Sequence, residues 1–369
     1  MSETRSIINR ILLEELNNII NKVNNHNIEF IDNVMSYCKF TINGKDYYMS
    51  YDKYVHIMTH RLPNFHYDNV FIQINENYDN YITQKLYNMY NKNSNDCKSY
   101  KMTITVEEDN KQYEIYYTRK ISRGILISSK NKYSCNDRDI LNYLMNDIYY
   151  CKSNIFIINL TVKNNYLLKL KGRGNHRNIM LLHKKETNKS IYFQIYIYEP
   201  HGTDIKKSKI PQHILDNFVK ELNRNTKKFR NNHDEDRDII FSLIDKTEIS
   251  CPRGLQSYAK KYDIGMCVYF SHFWYYMLFM CMINKNLNKD FDIVDLITVL
   301  ETDFIKTINN IAKNEEGQQL LYKLMVRFSY YNMQEYLHNY YNSKQRTEIE
   351  NRLNNYIIEN YIDNNNVIR

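Results

Sequence analysis

Apolar residues recur at helical spacing near the start of the chain. Ile7, Ile8, Ile11, Leu12, Leu16, Ile19, Ile20 and Val23 share one face, so residues 6–23 predict an amphipathic helix. A different rhythm follows. Phe40 to Tyr48 passes through Asn43-Gly44, a pair that accepts the positive φ angles of a type I′ turn, and predicts a hairpin. A helix is expected near 80–92. Lys98–Asn110 and Gln112–Arg119 alternate apolar and polar positions about a polar turn and predict a second hairpin. Asp137–Tyr150 reads as a short helix. From Asn154 the runs are short and β-rich: Ile155–Val162, Tyr166–Leu170, Ile179–Leu182 and Ile191–Tyr198. A helix is expected over Gln212–Leu222, with Pro211 suited to its first turn. The charged segment Arg224–Asp238 reads as an exposed loop, and Asp238–Ile244 as a further strand. Beyond Lys289 the pattern is helical over Phe291–Ile311, Glu315–Tyr330 and Glu348–Ile362. These elements predict an α+β fold, an antiparallel sheet packed on a central helix.

That central helix is the apolar run Met266–Ile283. It is too long and too aromatic for a buried strand. Its 18 residues touch the lower edge of a membrane span. Ser271 and His272 interrupt it, however, and no second span or signal-like N-terminus accompanies it. The expectation is a core helix between the sheet and the C-terminal helices, with no membrane association. Cys267 falls in its first turn, where unpaired N–H groups and the helix dipole favour an anionic sulfur. Taken alone, such a cysteine is most simply a small buried hydrophobe.

Composition changes this picture little. Tyr is used 35 times and Gly only 8 in 369 residues. With the abundance of Asn, Lys and Ile, this suggests an AT-rich genome more than a mechanism. The net charge of +8 is spread in short pairs, which points to a solvated surface with at most weak polyanion affinity. Seven cysteines without a C-x-x-C pair argue against a disulfide framework or a zinc site. No metal or cofactor is expected, and free thiols suit a reducing compartment.

Three separated segments give Cys267 a chemical context. His176 enters a β-run just after a Gly-rich turn, with Asn178 on the same face of the extended chain. Glu199 closes the next strand, in Glu199-Pro200-His201-Gly202, where adjacent antiparallel strands can bring it beside His176. Gln256 lies eleven residues before Cys267, in the loop that leads to the helix. Together they supply the parts that thiol proteolysis needs. Cys267 is the candidate nucleophile and His176 its base. Glu199 would orient the imidazole, and the Gln256 amide would donate to the oxyanion.

The order and motifs resemble the adenovirus maturation protease, which belongs to the clan of the SUMO-specific proteases. A nearer likeness is to a group of large-DNA-virus proteins with four motifs. Here these are His176-Arg-Asn178, Glu199-Pro-His-Gly202, Cys251-Pro252 with Gln256, and Gly265-Met-Cys267 followed by Phe270-Ser271. The likeness covers about residues 170–285. It implies a papain-like cysteine protease fold with helical additions at both ends. It also implies a viral thiol peptidase that acts on structural precursors or ubiquitin-like conjugates, in the host cytoplasm or virus factory, with packaging in the virion open. Within it, residues 151–312 would form the protease-like core. Residues 1–150 would be an N-terminal α+β region and 313–369 a helical extension. An alternative register lays Ile264 on the nucleophile's position and makes the chain an inactive scaffold of the same fold. The Gly265-x-Cys267 register keeps the nucleophile.

Overall fold

The computed structural model describes residues 3–24, 37–42, 45–50, 81–90, 100–106, 112–119, 121–128, 138–151, 153–164, 175–202, 212–244, 254–258, 267–284, 287, 291–348, 351 and 367–368. The fold is α+β. Its main sheet has seven strands in the order β5-β4-β3-β6-β7-β8-β9. These are β3 (Tyr100–Val106), β4 (Gln112–Arg119), β5 (Ile121–Ser128), β6 (Ile155–Asn164), β7 (Asn175–Glu186), β8 (Ser190–Tyr198) and β9 (Asp238–Leu243). Because β3 and β6 are neighbours, one sheet joins strands from both sides of residue 150 in the sequence. The expected hairpin about Asn43-Gly44 is present as β1 (Tyr37–Ile42) and β2 (Lys45–Ser50). With β10 (Val367–Ile368) it forms a separate small sheet.

The sheet is mixed, where an antiparallel one was expected. β3 runs parallel to β6, and β8 runs parallel to β9. A parallel neighbour requires a crossover rather than a tight turn. Between β8 and β9 the crossover includes one long helix, Gln212–His233. The segment read as a charged loop therefore belongs largely to this helix. Arg224, Lys227 and Lys228 lie on its surface, while Leu215, Phe218, Leu222 and Phe229 are buried. Its Asn223 amide both accepts from the Phe241 N–H and donates to the Phe241 carbonyl, which closes part of the β9 edge.

The helices are α1 (Glu3–Asn24), α2 (81–90), α3 (Arg138–Tyr150), α4 (Gln212–His233), α5 (Leu255–Tyr258), α6 (Cys267–Ile283), α7 (Ile293–Val299), α8 (Ile305–Ile311) and α9 (Glu315–Tyr340), with a further helical segment over 343–348. A π turn, Leu300–Phe304, links α7 to α8. α6 packs against β7, α1 and α9. Trp274, Tyr275 and Phe279 are all buried, as expected of a helix covered on every side. Among the described residues no helix is long and apolar enough to cross a membrane. The expected strand Tyr166–Leu170 lies outside the described residues, as does nearly all of the expected helix Glu348–Ile362.

Two buried polar contacts fix α6 along its length. The Trp274 indole stacks on Tyr198 at 4.6 Å between centroids and donates its N–H to buried Glu301 in the π turn. The Tyr276 hydroxyl donates to buried Glu15 of α1 at 3.1 Å. One cysteine departs from expectation: Cys151, just past α3, is disulfide-bonded.

Candidate active site

The site forms where β8 leaves β7. Their antiparallel register ends at Ile179↔Tyr198. Beyond this pair β8 leaves the ladder, and the turn Glu199–Gly202 brings its side chains to His176. Accordingly the His176 and His201 rings stack at 5.0 Å, 25° from parallel. Glu199 Oε1 lies 2.5 Å from His176 Nε2 and also accepts the His201 backbone N–H at 3.1 Å. The carboxylate is buried and held from two directions.

Glu199-Pro-His-Gly202 is a β-turn closed by the Gly202 N–H on the Glu199 carbonyl at 2.9 Å. Gly202 has φ 86°, a value that favours glycine. The turn is also a platform. The Gly254 N–H donates to the His201 carbonyl at 2.9 Å, and the Gln256 N–H to the Pro200 carbonyl at 3.0 Å. A Cβ on Gly254 would stand 2.3 Å from the Pro200 oxygen, so only glycine lets the two segments approach this closely. Gln256 is thereby buried against the turn, on a short helix that packs on α6.

Cys267 is the first residue of α6 and is buried, with 6% of its surface exposed. Its Sγ accepts the Arg177 backbone N–H at 3.4 Å and is hydrogen-bonded to the His176 side chain. With Nε2 engaged by Glu199, Nδ1 is the ring nitrogen left for the thiol. Burial alone would lower the pKa of His176. The Glu199 charge and the hydrogen bonds to Cys267 and Glu199 overcome this and push it up to about 10. At neutral pH the ring is an imidazolium between a carboxylate and a sulfur. Cys281, two residues before the end of α6, is fully buried, and burial pushes its thiol up to about 12.

No protein-family model, curated protein or solved structure matches the chain. The geometry of the site therefore carries the functional reading. It brings Cys267, His176 and Glu199 into one hydrogen-bonded line, with Gln256 docked on the turn that holds Glu199. Ile264, Cys251 and Pro252 lie outside the described residues. Among the described residues no cluster of His, Cys, Asp or Glu is arranged to hold a metal ion.

Two participants escape sequence reasoning. His201 reads only as a turn residue, and it is the turn that stacks its ring on His176. Ser271 follows Cys267 by four residues, hence on the same side of the helix. Its hydroxyl donates to the Arg177 carbonyl at 3.4 Å. The i,i+4 spacing was the available signal.

Proposed function

We propose that this chain is a thiol peptidase with a papain-like arrangement, in which Cys267 is the nucleophile, His176 the acid and base, and Glu199 the residue that orients the imidazole. The observation that carries the reading is the continuous hydrogen-bonded line Cys267–His176–Glu199 at the first residue of a buried helix. The anionic sulfur attacks the scissile carbonyl carbon, and the oxyanion forms against the Gln256 amide. His176 gives its proton to the departing amine, leaving a thioester on Cys267. Neutral His176 then takes a proton from water, whose oxygen attacks the thioester. The acid product leaves and the thiolate–imidazolium pair is restored.

The substrates proposed are viral structural precursors or ubiquitin-like conjugates, with only weak polyanion affinity from the dispersed positive charge. The proposed setting is the host cytoplasm or virus factory, with packaging in the virion. The Cys151 disulfide fits the virion end of that range better than a reducing cytosol. A second reading, an inactive scaffold of the same fold, is favoured by the small exposed area of the thiol.

A covalent probe separates the two. A panel of acyloxymethyl ketone peptides and a ubiquitin-like modifier with a C-terminal propargylamide are incubated with the full chain, and adducts are mapped by mass spectrometry. A peptidase forms an adduct at Cys267 that is lost in His176→Ala. No Cys267 adduct with any probe, from a chain whose denatured Cys267 alkylates normally, leaves the scaffold.

A further inference from the structure

The Arg177 peptide group has an unusual pair of partners. On an antiparallel strand the N–H and C=O of one residue point to the same neighbour, and those of Arg177 face the side where β8 would continue. Were β8 to continue in register, Pro200 would stand there, and it has no N–H to give. β8 instead turns away through Glu199-Pro-His-Gly202, and the amino end of α6 occupies the vacated place. Cys267 Sγ accepts the Arg177 N–H at 3.4 Å, and the Ser271 hydroxyl donates to the Arg177 carbonyl at 3.4 Å. Ser271 is fully buried. One turn of helix thus grips one strand residue at both ends of its backbone, beside the histidine that serves the same sulfur.

We propose that the Arg177 backbone N–H stabilises the Cys267 thiolate directly and that Ser271 is the positioning residue that aims it. The proposal rests on the thiol-peptidase reading. A hydrogen bond to the charged form favours that form. Among ordinary substitutions only proline removes the N–H, which gives it a steadiness that a side-chain donor lacks. At 3.4 Å the Ser271 bond is long, so its part is orientation and not strength. It keeps the N–H directed at sulfur and the His176 ring in register with the helix. The motif residues Phe270-Ser271, which have no chemistry of their own, acquire a reason for following Cys267 so closely.

The test is the pH profile of iodoacetamide alkylation at Cys267 in the full chain, with Cys281 as an internal reference thiol and the melting curve as a check of folding. Ser271→Ala is expected to move the Cys267 midpoint upward by about one pH unit, the scale of one hydrogen bond to an anion. Ser271→Thr, which keeps the hydroxyl, should leave the midpoint nearer that of the wild type. If Ser271→Ala does not fold, an ester oxygen in place of the Arg177 N–H, built into the full chain, should give the same upward shift. A wild type reactive at pH 6 whose midpoint is unmoved by a folded Ser271→Ala or by the ester overturns the proposal and leaves the peptidase reading intact. A wild-type Cys267 no more reactive at pH 6 than Cys281 removes the peptidase reading itself.

Discussion

His176 is the residue at which sequence, burial and charge meet. Its raised pKa means that the folded protein binds its proton more tightly than the unfolded chain does. The stabilisation from that proton is fully present below about pH 6.5, the ordinary value, and is lost as pH rises through about 10. Glu199→Gln removes the largest favourable cause. Urea unfolding of both proteins from pH 6 to 10 should show the wild type more stable at the acid end, with the gap closing toward pH 10. A gap that stays constant across that range would show that the pair does not hold the proton. Three of the site residues were legible because each ends or begins an element: His176 a strand, Glu199 a strand, Cys267 a helix. Ser271 was not, because a serine inside an apolar helix looks like a tolerated polar residue until its partner on another strand is known.

Between elements, the decisive join is the Glu199–Gly202 turn against Gly254–Gln256. Gly254→Ala would force a methyl into the Pro200 carbonyl, backbone that cannot move without moving Glu199. Such overpacking costs about 1–3 kcal/mol. We expect a lowered melting temperature and, on the proposed peptidase reading, a large loss of peptide turnover as Gln256 and Glu199 are displaced. Unchanged turnover and melting would mean that the join does not position Gln256. Strand and helix positions were largely legible from periodicity, down to the hairpin around Asn43-Gly44 and the helix Arg138–Tyr150. Sheet direction was not. Periodicity shows that β8 and β9 are strands, but the parallel pairing depends on α4, whose second half reads as a loop because its outer face is densely charged. β5 was missed for the opposite reason: Ile121–Ser128 carries too little alternation beside Arg123 and Gly124 to stand out.

At the scale of the molecule, α6 is the axle on which the sheet, α1 and α9 are mounted, and Trp274 is its main fastening. Trp274→Phe keeps a ring over Tyr198 but removes a donor from buried Glu301. Chemical denaturation should show a loss of about 1–3 kcal/mol. Trp274→Ala, which also opens a cavity, should lose about 3–5 kcal/mol. Equal stability of Trp274→Phe and the wild type would mean that Glu301 does not depend on the indole. The same mounting delivers Cys267 to His176 from a point 91 residues along the chain, so the site exists only in the assembled fold. The most direct measurement is therefore alkylation of the native chain at pH 6, mapped over the cysteines outside the Cys151 disulfide in the wild type and in His176→Ala. Modification concentrated at Cys267 in the wild type, and lost in His176→Ala, is the predicted result. Equal modification of the accessible cysteines, or labelling at Cys267 that is indifferent to His176, would contradict the thiolate–imidazolium pair.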